Sequence, residues 1–453
     1  MPAATSVDWS AVRNDLGDVP WTDDTALLKQ KSRDFYWFSP ILKEELRGTT
    51  ADLVVEPRTE DEVLRVARVA ARHRVPVTVR GGGTGNYGQA VPLAAGIVLD
   101  MGRMNRIVWS KPGAALVEAG ARLLDIDRSL RPDGWELRLF PSTRRLATLG
   151  GFMCGGSAGI GSISWGQNHH WGAVAAMRVA TVEDEPRIIE LRGADTAKVM
   201  HAYGVNGIVT AVEIPLAPAS AWAERIVAFD TLAGAARFAQ SLGATDGVEK
   251  KLAAVMDARI APYFKMLKAA LPADKALAFV MVSEPSLEAC EAIVREHGGT
   301  VCFARDAAEA TAAAHDNAPG IPPIYEFTWN HTTLLALRVD RDFTYLQCRY
   351  EPVRNIEQIE WAERHFGDEV LQHLEFQRRD GAIVNSGLPL IRWTTRDRLE
   401  RIIADFEGAG IAVSNPHTYR LDRAGWKRVD TGGGAFKAIA DPHGLMNPGK
   451  LVD

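Results

Sequence analysis

Cysteine is scarce: Cys154, Cys290, Cys302 and Cys348 are the only four in a chain of 453 residues, and they stand far apart. Such spacing provides no disulfide framework, zinc ribbon or iron–sulfur motif, so the thiols are expected in the core and no metal is expected. No run of about 18 uncharged apolar residues occurs, which excludes a membrane-spanning helix. The start, MPAATSVDWSAVRNDLGDVPW, lacks an apolar core behind basic residues, so no secretory leader is expected and a cytoplasmic setting is. Positive charge is not in surplus either. The net charge is -5 and no stripe of Lys and Arg stands out, which argues against nucleic acid as a partner. Solenoid repeats and low-complexity tracts are also missing.

What is present is an ordinary globular composition, 46% hydrophobic and 24% charged, at a length that favours two domains over one core. Forty Gly and 23 Pro imply many specified turns. The first organised stretch is LVVEP, a short strand. Thr59 then caps a helix, with Glu62 completing a capping box and Val63, Val66, Ala67, Ala70 and Ala71 at helical spacing. VPVTVR is a strand, GGGTGNYGQ a loop and GIVLDM another strand. From Lys111 to Pro218 the texture stays α/β. It includes a glycine-rich stretch read as one long loop, FPSTRRLATLGGFMCGGSAGIGSISWG, then a hairpin and a closing strand, GIVTAVEIPLAP. After Ala219 glycine thins out, and strands alternate with helices in an α+β pattern to about residue 414.

Gly83, Gly85 and Gly88 satisfy G-x-G-x-x-G. The dinucleotide fold that uses this pattern needs a helix to open at once, its N-terminus holding the pyrophosphate. Here QAVPLAAG follows, with Pro92 inside it, and then a strand; no crossover helix fits before Ile97. The better reading is a backbone nest. Five glycines in the eight positions 81–88 let several N–H groups converge on an anion without Cβ clashes.

The stretch VVEPRTEDEVLRVARVAARHRVPVTVRGGGTGNYGQAVPLAAGIVLDM resembles the first half of the FAD domain of the vanillyl-alcohol oxidase and p-cresol methylhydroxylase superfamily. VEAGARL, FPSTRRLATLGGFMCGGSAGIGSISWG and YGVNGIVTAVEIPLAP resemble the second half. The terminal DPHGLMNPGKL is similar to the tail of bacterial FAD-linked oxidases, including the flavoprotein subunits of glycolate oxidase and D-lactate dehydrogenase. The resemblance implies an α+β protein: a two-subdomain FAD-binding domain (1–218, core 50–218, N-terminal extension 1–49), an α+β cap with an antiparallel sheet (219–414), and a segment (415–453) returning to the FAD domain. It implies that Arg80, Gly81, Gly82, Gly83, Thr84, Gly85 and Asn86 cradle the pyrophosphate, and that Pro141, Thr148, Gly150, Gly151, Ser157 and Gly161 line flavin and ribitol. Ile208 is expected to offer backbone bonds near the adenine, and Asn447 to approach the flavin. Relatives that tether FAD place His near the position of Thr84, so noncovalent FAD is expected.

The implied chemistry is hydride transfer from a substrate CH–OH to flavin, with a base taking the O–H proton. A phenolic compound or amine as substrate stays open, as does a flavoprotein subunit active only with an electron-transfer partner. The expected partners are a small-molecule substrate and an electron acceptor, protein or quinone; the oligomeric state is not legible. In the cap, YEFTWNHTT read as a strand aligns Tyr325, Phe327, Trp329 and His331, either as a wall facing a flat ring or as ordinary core. FTYLQCRY aligns Tyr345, Gln347 and Arg349, the last as a carboxylate clamp or a solvated ion pair. His417 and Tyr419 are candidates for base or proton relay. HFGDEVLQH differs in spacing from the metal motif of D-2-hydroxy-acid dehydrogenases and reads as surface helix. VDTGGGAFK stands where those enzymes carry EHG.

Overall fold

Short apolar strands punctuated by glycine build the first layer. The computed structural model describes residues 7–451 except 171, 317 and 424–432; the VDTG of VDTGGGAFK thus lies outside the described residues. Leu53–Val55, Val77–Arg80 and Ile97–Asp100 pair in parallel with Ile97–Asp100 central, and Trp21–Thr22 adds an antiparallel edge. Parallel neighbours need a crossover, and the helix Glu60–His73 supplies it, burying Val63, Val66, Ala67, Ala70 and Ala71. Thr59 Oγ1 accepts the Glu62 N–H at 3.2 Å, as a capping box requires. The Glu62 carboxylate, however, reaches past Thr59 to Arg58, whose main-chain N–H and guanidinium both donate to it.

A six-stranded antiparallel sheet follows, organised by the long strand Ile208–Pro218, which pairs with Ala114–Glu118 on one side and Ala176–Ala180 on the other. The cap is an eight-stranded sheet in the order Thr300–Arg305, Trp222–Phe229, Ala276–Ser283, Lys250–Met256, His373–Arg379, Ala382–Gly387, Gln347–Arg349, Ala412–Ser414. Its two faces have different tasks. One buries the helices Leu232–Ala244, Asn355–Phe366 and Arg396–Gly408. The other joins Ile226, Leu252, Ala254 and Phe279 to Ala119, Leu139, Phe140 and Phe152 of the first domain in one continuous core. The tail comes back to the first sheet: Met446 bridges Val77, and the Asn447 N–H donates to the Val77 carbonyl at 2.8 Å. The architecture is the expected α+β fold with an antiparallel cap sheet. No helix among the described residues is long and apolar enough to cross a membrane.

Four local expectations are overturned. YEFTWNHTT is no strand: Ile324–Phe327 is a 3-10 turn and Asn330–Leu337 an α-helix, separated at Trp329, whose φ is +52°. The helix buries Thr332, Thr333, Ala336 and Leu337, a helical rather than alternating set. FTYLQCRY is two strands in two sheets: Phe343–Tyr345 pairs with Leu390–Arg392, while Gln347–Arg349 pairs with Ala382–Gly387 and Ala412–Ser414. The supposed long loop 140–166 contains the helix Leu149–Gly155, capped by Thr148 and anchored by Leu149, Phe152 and Met153. Finally, HFGDEVLQH straddles elements. The helix stops at Phe366, leaving exposed His365 stacked on Trp361, whereas His373 is buried in a strand against Glu375.

Candidate functional site

Residues 81–88 leave the strand Val77–Arg80 and reach Ile97–Asp100 without entering a helix. Gly83 sits at φ +62°, where a side chain would be strained. A Cβ on Gly81 would lie 2.0 Å from Thr148 Oγ1 and one on Gly82 2.1 Å from the Leu146 carbonyl, so the loop lies flat on the segment opening the helix Leu149–Gly155. Three distant segments hold its outer side. Phe35 N–H donates to Gly85 O at 2.6 Å, and Arg80 donates to the carbonyls of Lys31 and Arg33. Lys450 Nζ donates to Gly88 O at 2.5 Å, and Asn447 Nδ2 to the carbonyls of Gln89 and Tyr203. Among the described residues, none of the main-chain N–H groups of Gly82–Asn86 donates to a protein acceptor. They are available to an anion.

The loop forms one wall of a cleft whose empty volume, mouth included, is about 1580 Å³. Of the residues expected at the cofactor, Gly81, Gly82, Gly83, Thr84, Gly85, Asn86, Pro141, Thr148, Gly150, Gly151 and Ser157 line it. The others stand behind it. Arg80 braces the loop from outside. Gly161 gives its N–H to the Lys251 carbonyl at 2.7 Å, and a Cβ there would strike the Arg138 carbonyl, so it is a packing glycine between domains. Ile208 pairs with Ala180 inside the core while its neighbours Gly207 and Val209 reach the cleft. Asn447 is a buried staple.

The opposite wall comes from the cap: Trp329, Asn330, Gln347, Gln377, Ser386 and Leu388, with Gln167 at one end. Tyr87, from the glycine loop itself, reaches across. Its hydroxyl takes a hydrogen bond from Gln347 Nε2 and meets Asn330 and Tyr345, and burial pushes its pKa up to about 12. It therefore stays a phenol at neutral pH. Trp329 is held by its main-chain N–H, which donates to Glu375 Oε1 at 2.6 Å; burial raises the Glu375 pKa, and His373 at 2.8 Å opposes that.

None of the four side chains expected to carry catalysis lines the cleft. His331 follows Asn330 on the helix, half-buried, and burial lowers its pKa. Arg349 lies one strand position past the lining pair Gln347 and Cys348. His417 uses both ring nitrogens structurally: Nε2 donates to the Tyr345 carbonyl at 2.9 Å, which leaves Nδ1 to accept from Ser39 Oγ at 2.7 Å. Tyr419 packs with Leu42, Leu46 and Val91 beneath the Lys450 ammonium. Asn330, Gln377 and Ser386 were not singled out in the sequence; Trp329 and Gln347 were on faces already named there, and Tyr87 lay inside the loop motif.

The lining fits FAD. A glycine wall that no Cβ could enter offers unpaired amides, and the buried polar atoms Trp329 Nε1, Asn330 Oδ1 and Tyr203 OH have no protein partner at the cleft. Comparison with known proteins agrees. Residues 51–185 match the family model described as FAD binding domain. The chain is 39% identical over 149 residues to D-2-hydroxyglutarate dehydrogenase of Escherichia coli (strain K12), which covers 31% of this chain and 14% of that protein. It is 29% identical over 179 residues to glycolate oxidase subunit GlcD of Bacillus subtilis (strain 168), 37% of either chain. The matches thus span well under half of these relatives' lengths. Among solved structures, an alkyldihydroxyacetonephosphate synthase superimposes with a TM-score of 0.71 at 14% identity, covering 98% of this chain and 86% of that one. The 4-ethylphenol oxidase from Gulosibacter chungangensis gives 0.66 at 16% identity, covering 99% and 98%. Likeness at that identity extends to the fold.

Proposed function

Because the chain carries an FAD binding domain and the fold of the FAD-linked oxidases, we propose that it is an FAD-dependent oxidoreductase acting on a CH–OH group of a small molecule. The observation that carries the proposal is the cleft itself, in which unpaired loop amides on one side face a polar cap wall on the other. Bound FAD would supply the hydride acceptor, and the O–H proton would leave to solvent through the mouth of the cleft. The amides of Gly82–Asn86 bind its diphosphate, and with Thr84 in place of a tethering His the cofactor is held noncovalently. Tyr87, Asn330 and Gln347 form a hydrogen-bonded rim that orients the substrate oxygen as donors, since a phenol with a pKa of about 12 does not deprotonate an alcohol. The segment 219–414 acts as the cap that shields the reacting carbon from water.

The names of two relatives, D-2-hydroxyglutarate dehydrogenase and glycolate oxidase subunit, favour 2-hydroxy acids within this class. The word subunit in the second favours a partner chain, and that partner or a quinone reoxidises the flavin in this reading. The test is anaerobic mixing of the yellow protein with 2-hydroxy acids and plain alcohols. Bleaching of the flavin by one of them is expected, slowed at least about tenfold in Tyr87→Phe while FAD stays bound. A flavin that no CH–OH compound bleaches would remove the proposal; full-speed bleaching in the variant would remove Tyr87 from it.

A further inference from the structure

A chain of side-chain hydrogen bonds ends at the cleft, and its direction is fixed at the far end. Arg379 Nη2 donates to Gln167 Oε1 at 3.1 Å, Gln167 Nε2 donates to Gln377 Oε1 at 2.8 Å, and Gln377 Nε2 donates to Ser386 Oγ. A guanidinium has donors only, so the amide it touches must present oxygen. That amide's NH2 then faces the next residue, which must present oxygen in turn. The orientation of both glutamines is therefore dictated by Arg379 rather than chosen by each amide. Gln167 and Gln377 are each 1% exposed, so water does not compete for these bonds. Burial lowers the Arg379 pKa, but an arginine remains protonated at any physiological pH.

Ser386 receives the last donor on its oxygen. Its O–H is left to donate, and among the described hydrogen bonds it donates to no protein group. Gln167, Gln377 and Ser386 all line the cleft, and Ser386 stands between Arg349 and Glu375 in register, in the middle of the sheet face. We infer that the Arg379–Gln167–Gln377–Ser386 chain turns the Ser386 O–H, as a hydrogen-bond donor, towards an acceptor oxygen of the molecule bound in the cleft. Ser386 is the binding residue and Arg379 a positioning residue acting through the two amides. Two sources share that chemistry: a carbonyl oxygen of the flavin ring and the oxygen of the substrate CH–OH. The inference rests on the proposed function only for the identity of the ligand.

The experiment compares wild type, Ser386→Ala, Arg379→Met and Arg379→Lys in two measurements. One is titration of apoprotein with FAD, followed by quenching of flavin fluorescence; the other is anaerobic bleaching by the compound that best bleaches wild type. Loss of one hydrogen bond predicts an effect of roughly three- to tenfold. Ser386→Ala and Arg379→Met are both expected to weaken the same measurement, and Arg379→Lys, still donor-only, to restore it. Weakening in the FAD titration assigns the acceptor to the flavin ring, and weakening confined to bleaching assigns it to substrate. Wild-type behaviour of Ser386→Ala in both measurements overturns the inference. So does an Arg379→Lys variant as weak as Arg379→Met. Should no compound bleach wild type, the proposed function fails and the FAD titration alone decides this inference.

Discussion

The two walls of the cleft are made of different material. On the loop side the lining is main chain: a Cβ would run into Thr148 at Gly81, the Leu146 carbonyl at Gly82, the Arg80 guanidinium at Gly83 and the Gln89 side chain at Gly85. On the cap side the lining is side-chain amide and hydroxyl: Asn330, Gln347, Gln377 and Ser386. A main-chain wall is specified within a short stretch, because each peptide brings its own donor and needs only the right dihedral angles. A side-chain wall is specified by register. Gln347, Gln377 and Ser386 come from three strands, and slipping any of them by one residue would turn its side chain to the helix-covered face.

The strongest test of this contrast is Gly82→Val. The new side chain must displace the Leu146 carbonyl, at a cost of about 3 kcal/mol, and the FAD affinity of the apoprotein should fall roughly a hundredfold. Wild-type affinity would mean that the loop is not a close-packed wall. A smaller effect probes the seam between the walls, where His315 of the cap lies 3.7 Å from Asp127 and 3.3 Å from Arg144. Burial first, then Arg144, lowers the His315 pKa to about 4. Between about pH 6.5 and 4 the unfolded chain therefore holds a proton that the native one lacks. Stability from this group is complete above 6.5 and falls as the pH drops towards 4, by about 3 kcal/mol for the full shift and about 2 kcal/mol once solvent screening of the partly buried ring is allowed for. Denaturant titrations at several pH values should show a flatter acid limb in His315→Gln; an identical limb would place the acid sensitivity elsewhere. The smallest expected effect belongs to the half-exposed Arg145–Glu326 pair, which spans the same seam at 2.6 Å. Arg145→Met should cost about 1 kcal/mol or less by the same titration. A larger loss would make the seam depend on ions rather than on its apolar core.

Much of the scaffold was legible. The helix Glu60–His73 announces itself through Thr59 and its apolar spacing, and the failure of a helix to open after Gly88 is visible in Pro92 and the following β-branched strand. The misreadings share one cause. YEFTWNHTT has strand-like composition, but its backbone reverses at Trp329, where a positive φ on a bulky residue is sustained by Glu375 gripping the N–H. His417 looked reactive because imidazole so often is; its partners Ser39 and Tyr345, 378 and 72 residues away, occupy both nitrogens.

By itself the sequence determined what is local: the glycine loop that opens no helix, the crossover helix, and the alternation of strand and helix in the cap. These follow from dihedral freedom and hydrophobic period, which act over a few residues. Only the tertiary structure decided which polar side chains face the cleft and which way their hydrogen bonds run. Arg379, Gln167, Gln377 and Ser386 are separated by up to 219 residues, and strand pairing and domain packing bring them into one line. A hydrogen bond's direction depends on what lies beyond it, and that is settled only when the chain has closed on itself.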